Sequence, residues 1–249
     1  MGRKISFRLK LLTHLNSMFC ASSSDHSKPL LMFPFNDKSR NREYFSNVEL
    51  AYISWDVQFA PGADGSRAGS VELRGNLDSF IEIANFEGGF ADTAASGSIT
   101  ILAFLYPTGG HGPILCYQTN GYGLQIWFEQ VEFSAIIGTL CALFIRRDLA
   151  IVIPVRRTIL NINAWNFIGI SYDYWTGVVR LWHNGNVVET VFIGAYFPLA
   201  TQFPIRIGAL DNPWQTTFFK GRISHLHIYS EALNIEDIRA VGCISPAGR

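Results

Sequence analysis

Short apolar runs with a period of two, each closed by Gly, Pro, Asn or Asp, fill this chain from about residue 48 onward. That alternation sends successive side chains to opposite faces, so each run reads as a half-buried β-strand. Ile99, Ile101, Ala103 and Leu105 face one way and Thr100, Leu102, Phe104 and Tyr106 the other, before Pro107 and Gly109-Gly110 stop the strand. Gly112-Pro113 opens the next run, residues 114–119, and Asn120-Gly121 turns it into residues 123–128. Asn-Gly tolerates positive φ at both positions and so suits a tight hairpin; Asn184-Gly185 repeats the device between residues 178–183 and 187–192. Further strands are expected at 71–73, 80–84, 140–146, 150–155, 167–172, 205–208 and 223–229. Only residues 230–241 read as helical, with Ile235, Ile238 and Val241 three apart behind early acids. More than ten short strands with frequent turns predict an antiparallel all-β sandwich or barrel, one domain over residues 30–243.

Composition narrows the class. The 249 residues are 48% hydrophobic and only 16% charged, against about 25% charged in ordinary soluble domains. A chain this apolar is not disordered. Twenty basic residues balance twenty acidic ones, so no excess positive charge is present to neutralise phosphates, and a nucleic-acid partner is not expected. The balance is uneven: residues 1–42 carry eight Lys/Arg and two acids, net +6, leaving −6 on the rest. Residues 1–29 form a basic leader and linker. A charged start, the semi-apolar Leu11–Ala21 and small residues after it trace the outline of a secretory signal; a disordered basic arm fits the same residues. Residues 244–249 are a short tail. No stretch holds the roughly 18 uninterrupted apolar residues of a membrane span.

Four stretches in order carry a family resemblance. Gly75–Ile83 (GNLDSFIEI) is similar to a G-x-D-Y-V-E-I strand, and Ser98–Gly109 (SITILAFLYPTG) to F-T-I-S-A-W-V-Y-P. Ala164-Trp165-Asn166 through Asp173 to Gly185 is similar to W-h-h-V-A-h-x-Y-D…N-G, and Phe219 through Tyr229 to Ile238 to G-x-I-D-E-V-R-I-Y-x-x-A-L-S-x-E-E-I. Together they resemble the laminin-G-like jelly roll of the concanavalin A-like lectin/glucanase superfamily. The resemblance implies a two-sheet antiparallel jelly-roll sandwich with one short C-terminal helix. Phe104, Trp165 and Trp182, within apolar strands, are expected to fill the space between the sheets.

Glycanases of this architecture carry E-x-D-x-x-E, which points two carboxylates into one cleft. Here Glu129 and Glu132 are three apart with no Asp between, so they fall on opposite strand faces and read as rim residues. Phosphate-cradling, nucleophile-elbow, H-E-x-x-H and C-x-x-C patterns are absent. His225 and His227 flank Leu226 on one strand face and read as outward polar positions. Members of the resembled family often hold Ca²⁺ with loop oxygens at a sandwich edge. The matching oxygens are Asp211, Asn212 and Asn120, in the loops at 210–215 and 119–122. Asp211-Asn212 before Pro213 also makes an ordinary turn. Trp214, Trp175 and Tyr122 are the loop aromatics expected to stack on a ligand.

Of the cysteines, Cys116 and Cys141 would sit two strands apart in a meander, about 9.5 Å, too far for a bridge. Cys20 with Cys243 is the more plausible pair, because sandwich termini lie close together. The sequence therefore points to a non-enzymatic extracellular recognition or adhesion module, binding a glycan or protein at a loop edge with Ca²⁺ as its candidate cofactor. A divergent glycoside hydrolase of the same superfamily and an interaction domain of a larger matrix protein are the alternatives.

Overall fold

The computed structural model describes residues 27–118, 123–131, 134–212, 214 and 216–243. The strands among them are β1 (Leu31–Phe33), β2 (Ala51–Ile53), β3 (Gln58–Ala60), β4 (Ser70–Arg74), β5 (Ile81–Ile83), β6 (Ile99–Gly110), β7 (Gly112–Tyr117) and β8 (Gln125–Gln130). The chain continues through β9 (Ile137–Ile145), β10 (Val152–Asn161), β11 (Asn166–Asp173), β12 (Val178–His183), β13 (Asn186–Phe192), β14 (Ile205–Ile207) and β15 (Phe219–Tyr229). One helix, α1 (Ile235–Gly242), follows. The strands form two antiparallel sheets, an eight-stranded one ordered β13-β12-β11-β6-β15-β4-β3 with β1 beside β15, and a seven-stranded one ordered β10-β9-β8-β7-β14-β5-β2. The expected all-β sandwich, consistent with a jelly roll, is the fold of this chain.

Alternation places the core. Ile99, Ile101, Ala103 and Leu105 of β6 point between the sheets, where they meet the cluster that includes Leu115, Phe128, Leu140 and Phe144 of the facing sheet. Each side chain of that size contributes about 1.5–3 kcal/mol when removed from water. The other face of β6 is apolar for a different reason. Leu102 joins Phe167, Trp182, Tyr229, Leu233 and Ile238, with Phe104 packed against them, in a smaller cluster that includes α1. Phe104 and Trp182 therefore lie outside the eight-stranded sheet rather than between the sheets, and Trp165 is half-buried against Tyr106, ring centroids 5.5 Å apart. The helix is held by Asn234, whose Oδ1 accepts from the Glu236 and Asp237 amides.

Several strands depart from the expected pattern: β10, expected over 150–155, runs on to Asn161, β9, expected from 140, begins at Ile137, and β6 and β15 are irregular. β6 runs through Pro107 to Gly110 because β15 shifts register at Lys220/Gly221 opposite the proline, which has no N–H to give to a regular ladder. A second bulge, between Ser224 and His227, puts His225 at φ 49° and breaks the alternation there. His227 is consequently not an exposed polar position: it is 2% exposed, with Nδ1 3.2 Å from the Tyr229 hydroxyl. The Asn184-Gly185 hairpin forms as expected, both residues at positive φ (50° and 74°). Cys116 and Cys141 are buried free thiols on β7 and β9, separated by β8. Cys243 is disulfide-bonded, and Cys20 lies outside the described residues.

Candidate functional site

The sandwich separates the sequence-predicted residues into two ends. Tyr172 of β11 pairs with Ile99, where β6 begins, so the β11–β12 loop carrying Trp175 sits at that end. Phe219 pairs with Gly110, where β6 finishes, and its amide bonds the Gly208 carbonyl, so Asp211, Asn212 and Trp214 sit at the other. The twelve residues of β6 run from one end to the other, about 36 Å at about 3.3 Å per residue. Trp175 and Trp214 cannot line one small-ligand site. Asn120 and Tyr122 lie outside the described residues; the chain enters their loop at Gln118, whose amide bonds Pro204 O at the Trp175 end.

At the Trp214 end, Asp211 is an ion-pair partner. Its Oδ1 lies 2.9 Å from Arg206 Nη1, and the Arg206 guanidinium sits 3.8 Å over the Phe80 ring. A divalent cation on Asp211 would have to displace or tolerate that guanidinium. Asn212 Oδ1 accepts the Trp214 amide at 2.9 Å, the turn geometry that Asp-Asn-Pro favours. Trp214 itself is 86% exposed. Among the described residues no three His, Cys, Asp or Glu side chains cluster as a metal site. Of the two glutamates weighed as carboxylates, Glu129 is 3.5 Å from Arg156, and Glu132 lies outside the described residues.

The Trp175 end is built differently. Asp173 closes the β11–β12 loop: Oδ1 accepts from the Trp175 amide at 3.0 Å and Oδ2 from the Thr176 hydroxyl at 2.6 Å. Burial opposes ionisation of Asp173, but the hydrogen bonds from Thr176 and Trp175 outweigh it and hold the carboxyl below its ordinary range. The segment after β13 docks onto this loop backbone to backbone, Ile193 N to Gly177 O at 2.9 Å and Tyr196 N to Tyr174 O at 2.7 Å. Gly177 permits the approach, since a Cβ there would stand 2.3 Å from the Ala195 nitrogen.

Buried Tyr172 fixes the same segment from beneath. Its hydroxyl donates to Gly194 O and accepts from Phe197 N, both at 2.9 Å, bracketing Tyr196. Burial, chiefly, pushes this phenol up to about 12, so it stays protonated and able to donate. Between the two anchors Tyr196 is held at φ 59°, a left-handed conformation that costs a bulky residue about 1–2 kcal/mol. Tyr196 and Trp175 are 61% and 67% exposed. Their centroids are 5.8 Å apart with ring planes at 89°, and Tyr174 stands at 84° to each.

A network behind the loops stiffens this end. Arg147 grips Asp92 with both terminal nitrogens, at 2.8 and 2.9 Å, and the Thr201 hydroxyl donates to the same carboxylate at 2.9 Å. Burial works against the Asp92 charge, yet these bonds and the Gly88 amide hold its carboxyl at about 2. Sequence reasoning singled out Trp175 from its turn-like D-Y-W-T-G setting. It missed Tyr196 and Tyr172, because nothing in G-A-Y-F announces a tyrosine at positive φ.

Comparisons with known proteins agree with this architecture. No curated protein matches the sequence. Among solved structures, the binding domain of paraclostridial mosquitocidal protein 1 superposes with a TM-score of 0.67 at 16% identity, over 86% of this chain and 51% of that one. The botulinum neurotoxin serotype G binding domain gives 0.65 at 15% identity, over 88% and 52%. This chain thus spans about half the length of those toxin domains. Domain 4 of AbnA, an extracellular arabinanase of Geobacillus stearothermophilus solved with arabinotriose, gives 0.60 at 14% identity, covering 88% of this chain and 100% of that one. At these identities the likeness is one of fold. The family profile described as concanavalin A-like lectin/glucanases superfamily matches residues 74–239, two thirds of the sequence, and the chain belongs to that superfamily.

Proposed function

We propose that this chain is a non-catalytic carbohydrate-binding module whose ligand stacks on Trp175 and Tyr196. The observation that carries the reading is the locked aromatic pair: two exposed rings, one on a strained backbone, fixed by Tyr172, Asp173 and Gly177. Backbone strain persists only where the surroundings over-determine it, and it gathers at ligand sites. An indole or phenol face matches the C–H face of a sugar, and rigid presentation lowers the ordering cost of binding. The arabinotriose complex of AbnA domain 4, a neighbour of the same fold and full-length overlap, supports the ligand class. Fold by itself does not select a ligand.

The disulfide at Cys243 supports an extracellular or otherwise oxidising location. Calcium at Asp211 and Asn212 is a separate part of the proposal. A thermal-shift titration with CaCl₂ and EDTA tests it, and no shift at several millimolar Ca²⁺ removes it. The ligand reading is tested on a glycan and matrix-protein array with the parent, Trp175→Ala, Tyr196→Ala and Trp214→Ala. Loss of about tenfold or more in affinity, about 1.4 kcal/mol, is expected for the first two variants. Trp214→Ala should bind as the parent does. Loss confined to Trp214→Ala would move the site to the Asp211 end, and capture of matrix protein without glycan would replace the carbohydrate reading.

A further inference from the structure

We infer that the Trp175–Tyr196 site takes one terminal, uncharged sugar residue rather than an internal stretch of a linear polysaccharide. This rests on the carbohydrate reading and adds the shape and charge of the ligand. Three rings carry it. Tyr174, Trp175 and Tyr196 are mutually perpendicular, at 84°, 84° and 89°, with centroids 5.6, 5.4 and 5.8 Å apart. Recognition inside an extended chain requires aromatic faces laid along a common direction, so that the chain runs on past each of them. Here a sugar stacked on one exposed ring meets the other at a right angle within the width of about one pyranose. The chain can leave only on the side away from that wall, which makes the bound residue a terminus.

The walls are fixed. Tyr196 is held by its amide bond to Tyr174 O and by the two Tyr172 anchors around it. Trp175 is held by Asp173, and Tyr174 by its amide bond to Ser98 Oγ at 3.0 Å. Gly97 leaves the space that the Tyr174 ring occupies; a Cβ there would lie 2.3 Å from Cγ of the ring. Charge narrows the ligand further. Within residues 173–177 and 193–197 the one charged side chain is Asp173, whose carboxylate is already bonded to Thr176. The cation whose field reaches this loop is Arg180 of β12, which already acts on Asp173; a uronate or sialate would have to compete with that carboxylate for it, whereas a neutral sugar loses nothing.

The test uses the full chain and calorimetric titration of linear arabino-, xylo-, gluco-, galacto- and manno-oligosaccharides, each with two and with six residues, beside sialyllactose and a hexagalacturonate. For any series that binds, affinity is expected to change less than threefold between two and six residues, and the acidic probes to bind at least tenfold more weakly. Tyr196→Gly, which keeps the left-handed backbone without the ring, should lose tenfold or more, with circular dichroism reporting that the fold is retained. Affinity rising tenfold or more from two residues to six overturns the terminal-residue inference and leaves the carbohydrate reading standing. A preference for the acidic probes overturns the uncharged part. Binding to none of the sugars overturns the carbohydrate reading and this inference with it.

Discussion

The Tyr172 hydroxyl is a single group that holds two backbone segments at once, and the site depends on it. Tyr172→Phe keeps the buried ring and leaves Gly194 O and Phe197 N without their partner. The expected cost is about 1–3 kcal/mol in chemical denaturation, together with weaker ligand binding than the distant Trp214→Ala shows. Tyr196→Gly should behave oppositely on stability. Glycine occupies φ 59° without strain, so the relief of about 1 kcal/mol offsets or exceeds the greater freedom glycine gives the unfolded chain. A variant at least as stable as the parent that no longer binds would show that the strain serves the ligand; a loss of 2 kcal/mol or more would show that the Tyr196 ring is structural. Neither tyrosine could be found from the sequence. Tyr172 alternates like any core residue, and the partners that give it a role lie more than twenty positions away.

At the scale of elements, the site is the junction of the β11–β12 loop with the segment after β13. Gly177→Ala places a methyl 2.3 Å from the Ala195 nitrogen at a residue whose φ is 72°. The two segments must then part, with an expected loss of about 2–4 kcal/mol and of binding together; unchanged binding would mean that the junction does not shape the site. Periodicity located β6, β11, β12 and β13 well because each is long enough to repeat. It said nothing of β1, β2 and β3, three residues each; β5 and β14 are as short but lie within longer apolar runs, 80–84 and 205–208, that made them legible. Phe104 and Trp182 were assigned to the wrong layer because α1 makes the outer face of β6 and β12 as apolar as the inner one. The separation of Trp175 from Trp214 needed strand pairing, which loop composition does not encode.

For the whole molecule, the eight-stranded sheet carries three histidines, His183, His225 and His227, whose burial disfavours the charged form. His227 is 2% exposed, and among the described residues its Nε2 has no hydrogen-bond partner; His225, on the bulge, has a buried Nδ1 that finds none among them either. Burial, aided by the neighbouring His225, pushes the His227 pKa down to about 3, and burial lowers His225 against the pull of Asp64. The unfolded chain takes up a proton on His227 below about 6.5, while the folded chain resists until about 3. Stability is therefore full at neutral pH and falls as pH drops through 6.5 toward 3. The Asp92 carboxyl, held at about 2, adds no loss until pH falls below about 3.8, the ordinary aspartate value, and then adds to it. Urea unfolding at pH 7, 5.5 and 4 should show a decline on the order of 3 kcal/mol by pH 4. His227→Gln, which cannot be charged, should flatten that decline between pH 6.5 and 4 while leaving ligand binding at pH 7 unchanged, because Tyr174, Trp175 and Tyr196 lie in loops it does not touch. A parent and a His227→Gln variant that lose stability in parallel would show that the acid sensitivity arises elsewhere in the sandwich.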